Sequence, residues 1–372
     1  QTTGLIATVQ SGAPGVGERT LPCCGAEEFL MMAPDANPGP IAHIASFATL
    51  TNRVVALDGA QELGTPTVLP FLEEGPLPVF HAESQDGSAL IIRPPFHLDV
   101  LYPDGHTVEV GDPLGRDFNL AQGELVAIAD NYQGDRKHIL VAGAIEGTPQ
   151  EASVVRMATV SMTGEVVNGP HDVVLAHPGT VDGRAVDGGL LLVGRTADPR
   201  VIDVYDHTGT LRDTFTLAAD PQAWVAMTPD GRYALTVDVI DDSIWWHDVT
   251  ADQRRVLPIK GHFQPPDMLP DDRAVIQTRE GELQLWDLTG PTLLGTVADA
   301  GPRDDTYLES HHDGSELWAV IDGWLRRIPL DSESWARRAC DLAARPLTER
   351  EFADLIPGNA PYRDACADLR SG

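Results

Sequence analysis

The chain has 372 residues, 42% of them hydrophobic, with 26 Lys and Arg against 56 Asp and Glu and a formal net charge of −30. Such a chain carries enough apolar residues for a sizeable core and is neither disordered nor fibrous by composition. The charge repels phosphate backbones, which excludes direct sequence-independent nucleic-acid binding, and the longest apolar runs, such as 139–145 and 190–193, fall far short of the roughly 20 residues that cross a bilayer, so no membrane insertion is expected.

The chain opens on Gln1 with neither an initiator Met nor a charged-then-apolar leader, and so reads as processed or cut from a longer protein. Residues 4–9, Gly-Leu-Ile-Ala-Thr-Val, look like an outer strand that follows the end of a repeat, comparable with Leu293–Val297 after Gly290. The adjacent Cys23 and Cys24 read as reduced loop residues; with Cys340 and Cys366 they lack the paired C-x-x-C spacing of a zinc site.

From there a turn recurs along the chain. Thr228-Pro229-Asp230-Gly231-Arg232, followed by Tyr233–Val237, is a turn that feeds an apolar strand. Similar turns precede Ala89–Ile92, Leu190–Val193 and Leu317–Val320, and weaker ones lie at Asp35, Asp135 and Asp271. The marker aspartates, at 35, 86, 135, 187, 230, 271 and 313, define seven units. A second series of polar turns interleaves with the first, at 57–59, 103–105, 162–164, 207–209, 249–251, 288–290 and 330–332. Each unit is then a small antiparallel sheet of about four strands that cannot bury its own faces, and radial packing into a β-propeller solves that problem. The expected fold is all-β, a seven-bladed β-propeller over residues 1–331, with residues 4–9 closing the seventh blade.

Three clusters are candidates for chemistry or binding. Asp238, Asp241 and Asp242 offer oxygen ligands to a cation such as Ca²⁺ but lack EF-hand spacing, and read first as a solvated acidic turn. Trp224 and Trp245, with Trp246, lie in strands, where such residues are core more often than partner anchors. His311 and His312 occupy the ordinary turn slot before Asp313. The sequence holds no G-x-S-x-G elbow, phosphate loop, dinucleotide fingerprint or H-E-x-x-H, so neither an enzyme nor a cofactor is expected.

Gly261-His262 is followed by Thr278, by Glu280-Gly281 and by Leu283-Gln284-Leu285-Trp286-Asp287, a pattern that resembles the Gly-His to Trp-Asp signature of WD repeats. The resemblance implies structural roles for these residues. His262, Thr278, Trp286 and the turn carboxylate Glu280, in a place usually held by Asp, would form a buried hydrogen-bonded chain beside Asp287. The preceding unit keeps only Trp245-Trp246-His247-Asp248, which makes the propeller a degenerate WD-repeat-like one.

After Asp331 the period changes to a helical one, with Trp335, Ala339, Leu342 and Ala343 on one face. Thr348-Glu349-Arg350-Glu351 is a capping box that opens a second short helix, ended by Pro357-Gly358. Residues 332–372 are therefore expected to be a helical tail docked on the propeller. The run Trp335-x4-Cys340-x-Leu342-Ala343-x-Arg345-x-Leu347-Thr348, with Pro361-Tyr362-Arg363-x2-Cys366, resembles the closing segment of large bacterial signalling proteins in which a WD-repeat region follows a STAND-type ATPase. The resemblance implies a non-enzymatic, cytoplasmic C-terminal sensor module whose partner is a protein, a peptide or the upstream domains of its own chain. The competing reading is a secreted or periplasmic propeller, either hydrolase-like or a small-molecule binder, with Cys340 and Cys366 oxidised.

Overall fold

The computed structural model describes residues 18–22, 28–33, 40–46, 51–57, 61–63, 66–68, 79–82, 89–93, 97–104, 106–111, 127–133, 136–148, 151–163, 165–180, 185–186, 189–217, 224–238, 241–260, 266–300, 308–310, 313–321, 324–331 and 334. These are almost entirely strands. β1 (Glu18–Pro22) stands apart from those that follow it, whereas β2 (Glu28–Ala33), β3 (Ile41–Ser46) and β4 (Thr51–Ala56) pair antiparallel in chain order. The short β5 (Gln61–Glu62) and β6 (Thr67–Val68) both lie along the outer side of β4. The next sheet repeats the meander with β7 (Val79–Ala82), β8 (Ala89–Arg93), β9 (His97–Leu101) and β10 (Thr107–Gly111).

β11 (Ala127–Gln133), β12 (Arg136–Thr148), β13 (Glu151–Ser161) and β14 (Val166–Thr180) form a third meander, and β15 (Ala185–Val186), β16 (Leu190–Arg195), β17 (Val201–Tyr205) and β18 (Leu211–Thr216) a fourth. They merge into one eight-stranded sheet because β14 runs on to pair with β16 at Gly179↔Arg195 and Thr180↔Gly194. Two four-stranded sheets follow. One holds β19 (Trp224–Met227), β20 (Tyr233–Val237), β21 (Ser243–Asp248) and β22 (Gln253–Lys260). The other holds β23 (Asp267–Leu269), β24 (Arg273–Gln277), β25 (Glu282–Asp287) and β26 (Thr292–Asp299). The last sheet contains β27 (Leu308–Ser310), β28 (Glu316–Ile321) and β29 (Trp324–Pro329), and its fourth, outer strand is β1, paired from Glu18↔Arg327 to Pro22↔Trp324. Residues 4–9, which the sequence pattern assigns to that outer position, lie outside the described residues; the strand beside β29 is Glu18–Pro22.

Side chains stack the later sheets face to face in chain order. Leu192, Ile202 and Phe215 of one sheet meet Met227 and Ala234 of the next; Leu235, Ile244 and Trp246 meet Met268, Ile276 and Trp286; Val275, Leu283 and Leu285 meet Leu317, Ala319 and Ile328. Trp318 and Leu325 of the last sheet then pack on Ala42, Ile44, Val55 and Leu57 of the first. The stack closes on itself, which is the architecture of a β-propeller. A sheet covered on both faces buries successive residues of its inner strands, and β20 is buried along its whole length, its one polar side chain, Thr236, paired with His247. That is why runs such as Tyr233–Val237 are continuous rather than alternating.

At the end of β29, Asp331 Oδ1 accepts a 2.7 Å bond from the amide of Ser334, which is helical. This is the geometry of a helix N-cap. Trp335, Cys340, Cys366 and the remainder of the expected tail lie outside the described residues.

Candidate interaction surface

In an antiparallel four-stranded meander the first and third turns fall at the same end of the sheet, and here both kinds are built around aspartate. Asp230 Oδ1 accepts from Thr228 Oγ1 at 2.7 Å and from the Arg232 amide at 2.9 Å, while Gly231 adopts a φ of +77° that a side chain would strain. At the third turn of the preceding unit, Asp206 Oδ1 takes the amides of Thr208 and Thr210 and the Thr208 hydroxyl, and Oδ2 takes Arg212 Nε at 2.6 Å. Asp248 and Asp287 accept the amides of Ala251 and Thr289 in the same manner.

Neighbouring sheets are tied together at this end. Trp246 Nε1 donates to the Leu288 carbonyl at 2.9 Å, and Arg273 donates to the carbonyls of Gly314 and Leu330 at 2.9 and 3.1 Å. Asp272 lies near Asp230, Asp271 and Asp287, and its carboxyl is raised above the usual carboxylate value by burial and then by those like charges. The result is a braced, acidic platform.

A second cluster fastens the two halves of the eight-stranded sheet. Asp203 on β17 has no side-chain exposure and accepts from Arg195 Nη2 at 2.6 Å, Thr214 Oγ1 at 2.7 Å and His177 Nδ1 at 2.9 Å. Burial alone would raise the Asp203 carboxyl, but the bonds from Arg195, Thr214 and His177 outweigh it and hold the group below the ordinary range. The Ala176 amide donates to Tyr205 Oη at 2.8 Å, and the Thr196 amide to the Pro178 carbonyl at 2.9 Å. Gly179 lies so close to β16 that a Cβ there would meet the Gly194 carbonyl oxygen at 2.4 Å. These contacts clamp residues 176–180 of β14 onto the next unit.

The residues singled out from the sequence are dispersed. Asp238, Asp241 and Asp242 do not converge on one point: Asp241 accepts the Ser243 amide and lies 3.7 Å from Lys260 Nζ, and Asp242 pairs with Arg279 at 3.0 Å. Among the described residues no group of three His, Cys, Asp or Glu side chains could hold a metal ion. Trp245 is half-buried and donates to Ser243 Oγ, and Trp224 lies on the innermost strand β19. His262, His311 and His312 lie outside the described residues.

The chain inferred from the WD pattern takes another course. Trp286 Nε1 donates to Gln284 Oε1 at 3.2 Å rather than to Thr278, and the Gln284 amide donates in turn to Glu282 Oε2 at 2.8 Å. The Thr278 hydroxyl accepts the Glu282 amide, closing the turn that contains Glu280. A buried Thr-His pair does occur one sheet earlier, between Thr236 Oγ1 and His247 Nε2 at 3.2 Å. Burial, then Arg254, lowers the His247 pKa to about 4. The Asp203 cluster escaped sequence reasoning, since His177 lies 26 positions before Asp203 and Thr214 another 11 after it.

No family model matches the sequence, and no curated protein matches it. A solved structure described as the Dos1 propeller aligns with 78% of this chain and 75% of its own, at 10% identity and a TM-score of 0.48.

Proposed function

We propose that the chain is a seven-bladed, degenerate WD-repeat-like propeller acting as a non-enzymatic interaction or sensing module, the C-terminal sensor region of a larger bacterial signalling protein. The count of seven is supported by the eight-stranded sheet, which consists of two complete meanders whose strands, among the described residues, pair with each other at Gly179↔Arg195 and Thr180↔Gly194. The observation that carries the function is the braced turn end, where Trp246 and Arg273 reach across to carbonyls of the next sheet. A surface fixed in this way meets a partner with little ordering cost. The signalling context rests on the likeness of the Trp335 to Cys366 segment to the tails that close STAND ATPase proteins.

Photo-crosslinkers placed in the host at Arg232 and Thr250, both exposed at this end, test the reading. Adducts of a defined partner, or within a native chain heavier than 40.0 kDa, are the expected result. Absence of adducts together with turnover of simple esters by the purified chain would overturn it. That outcome favours the secreted or periplasmic hydrolase-like reading, which rests on one observation: His177, 47% exposed, is oriented by the buried Asp203 as a general base would be.

A further inference from the structure

We propose that the outer side of β14 is a docking strip for an extended, basic segment of a partner protein. This rests on the interaction-module reading and names the surface and the chemistry of its occupant.

The strip begins with exposed apolar area on the outside of the ring. Val166, Val167 and Val174 are 41%, 48% and 77% exposed, and Leu211 at the start of β18 is 39% exposed. Among the described residues the other outer strands show at most one such residue each, Val108, Leu211, Val256 and Leu293, whereas β14 carries three. Val173 and Leu175 point into the core, so Val174 between them projects outward. The β17–β18 turn braces β14 from its inward side, since a Cβ on Gly209 would lie 2.2 Å from Val173 Cγ2.

The backbone is also available. Among the described residues, β14 pairs with β13 on one side, and its other edge meets no strand until Gly179. An unpaired edge offers amide and carbonyl groups to an added strand. The clamp at Asp203 holds this edge in place before any partner arrives, which lowers the ordering cost of binding.

Charge selects the occupant. From Glu165 to Thr180 there is no Lys or Arg, while Glu165 and Asp172 are exposed, in a chain of net charge −30. Arg156 engages Asp172 from β13 at 2.6 Å, yet the Asp172 side chain stays 46% exposed. A second copy of the chain would bring the same charge to the strip and be repelled. A segment that alternates apolar residues with Lys or Arg matches both the valines and the field.

Two bulges shorten β14 between Val167 and Val174, which are separated by about 18 Å along the strand, so a peptide of about ten residues covers the strip and its flanks. A labelled Lys-Val alternating peptide of that length should bind the full chain in fluorescence anisotropy, and a Glu-Val peptide should not. The double variant Val167→Thr/Val174→Thr keeps the charge and the strand propensity, and should weaken Lys-Val binding about tenfold. Val256→Thr/Leu293→Thr, on other outer strands, should leave it unchanged. Equal weakening by both pairs, or none by the first, overturns the strip and leaves the module reading standing, because the peptide is then held by net charge alone. Absence of Lys-Val binding also overturns the strip, while the crosslinks at Arg232 and Thr250 judge the module independently.

Discussion

Replacing Asp203 by Ala removes the acceptor shared by Arg195, Thr214 and His177 from a position without solvent access. Breaking a buried ion pair costs about 3 to 5 kcal/mol, because the partner charge is left uncompensated. Arg195 keeps 26% of its side chain in water and can rehydrate in part, so the lower figure applies, about 3 kcal/mol. Urea unfolding of the full chain measures it, with the midpoint falling and the slope unchanged. The sign with pH is fixed: the Asp203 carboxyl lies below its ordinary 3.8 in the folded chain, so its stabilisation is present above that value and is lost as pH falls through the depressed one. The difference between wild type and variant should be flat near neutrality and shrink in acid. A loss below about 1 kcal/mol, the size of a surface ion pair, would refute the clamp as a source of stability.

Gly179→Ala places a methyl 2.4 Å from the Gly194 carbonyl oxygen and 2.6 Å from Val193 Cγ1; the end of β14 should lift from β16 at a cost of about 2 kcal/mol, seen as faster exchange of the Thr196 amide, and unchanged protection would count against it. His247, with a folded pKa of about 4 against 6.5, should stay neutral in an NMR titration until the pH nears 4; because the unfolded chain binds the proton first, stability should fall as pH drops from about 6.5 towards 4, by about 3 kcal/mol in all, and titration above pH 6 would contradict the burial argument. Removing residues 1–22 takes β1 away from β29, so the melting midpoint should fall and the exposed edge should promote self-association on gel filtration; a monomer with an unchanged midpoint would show that the pairing contributes little.

The turns were legible because their chemistry is local. Thr228, Asp230 and Gly231 carry the hydrogen bonds and the positive φ within four residues, and the apolar run that follows is β20. Strands β8, β16 and β28 likewise cover the runs that follow the other Asp-Gly pairs. β1 was hidden because Glu-Arg-Thr-Leu-Pro has neither alternation nor an apolar run; its place is set by the ring, which brings it beside a strand some three hundred residues later. Trp286 shows the limit of motif reading: Gln284, two residues earlier on the same face of β25, competes successfully for the indole N–H. The Asp203 cluster was invisible for a related reason. Asp203 is the one charged residue of β17, nothing beside it in the sequence points to its partners, and only the overlap of β14 onto β16 brings His177 to it.

The closure by β1 sets an order of events during synthesis. Glu18–Pro22 is among the first described segments to leave the ribosome, yet its partner Trp324–Pro329 is made about 15 to 60 s later at 5–20 residues per second. Throughout that interval the five residues are an unclaimed strand on a growing chain. Their composition suits the wait: Glu18 and Arg19 keep the segment hydrated, and Pro22 denies one backbone donor to a wrong partner. The sheet of β27, β28 and β29 is thus completed by a strand made before all the others described, so its closure waits on translation.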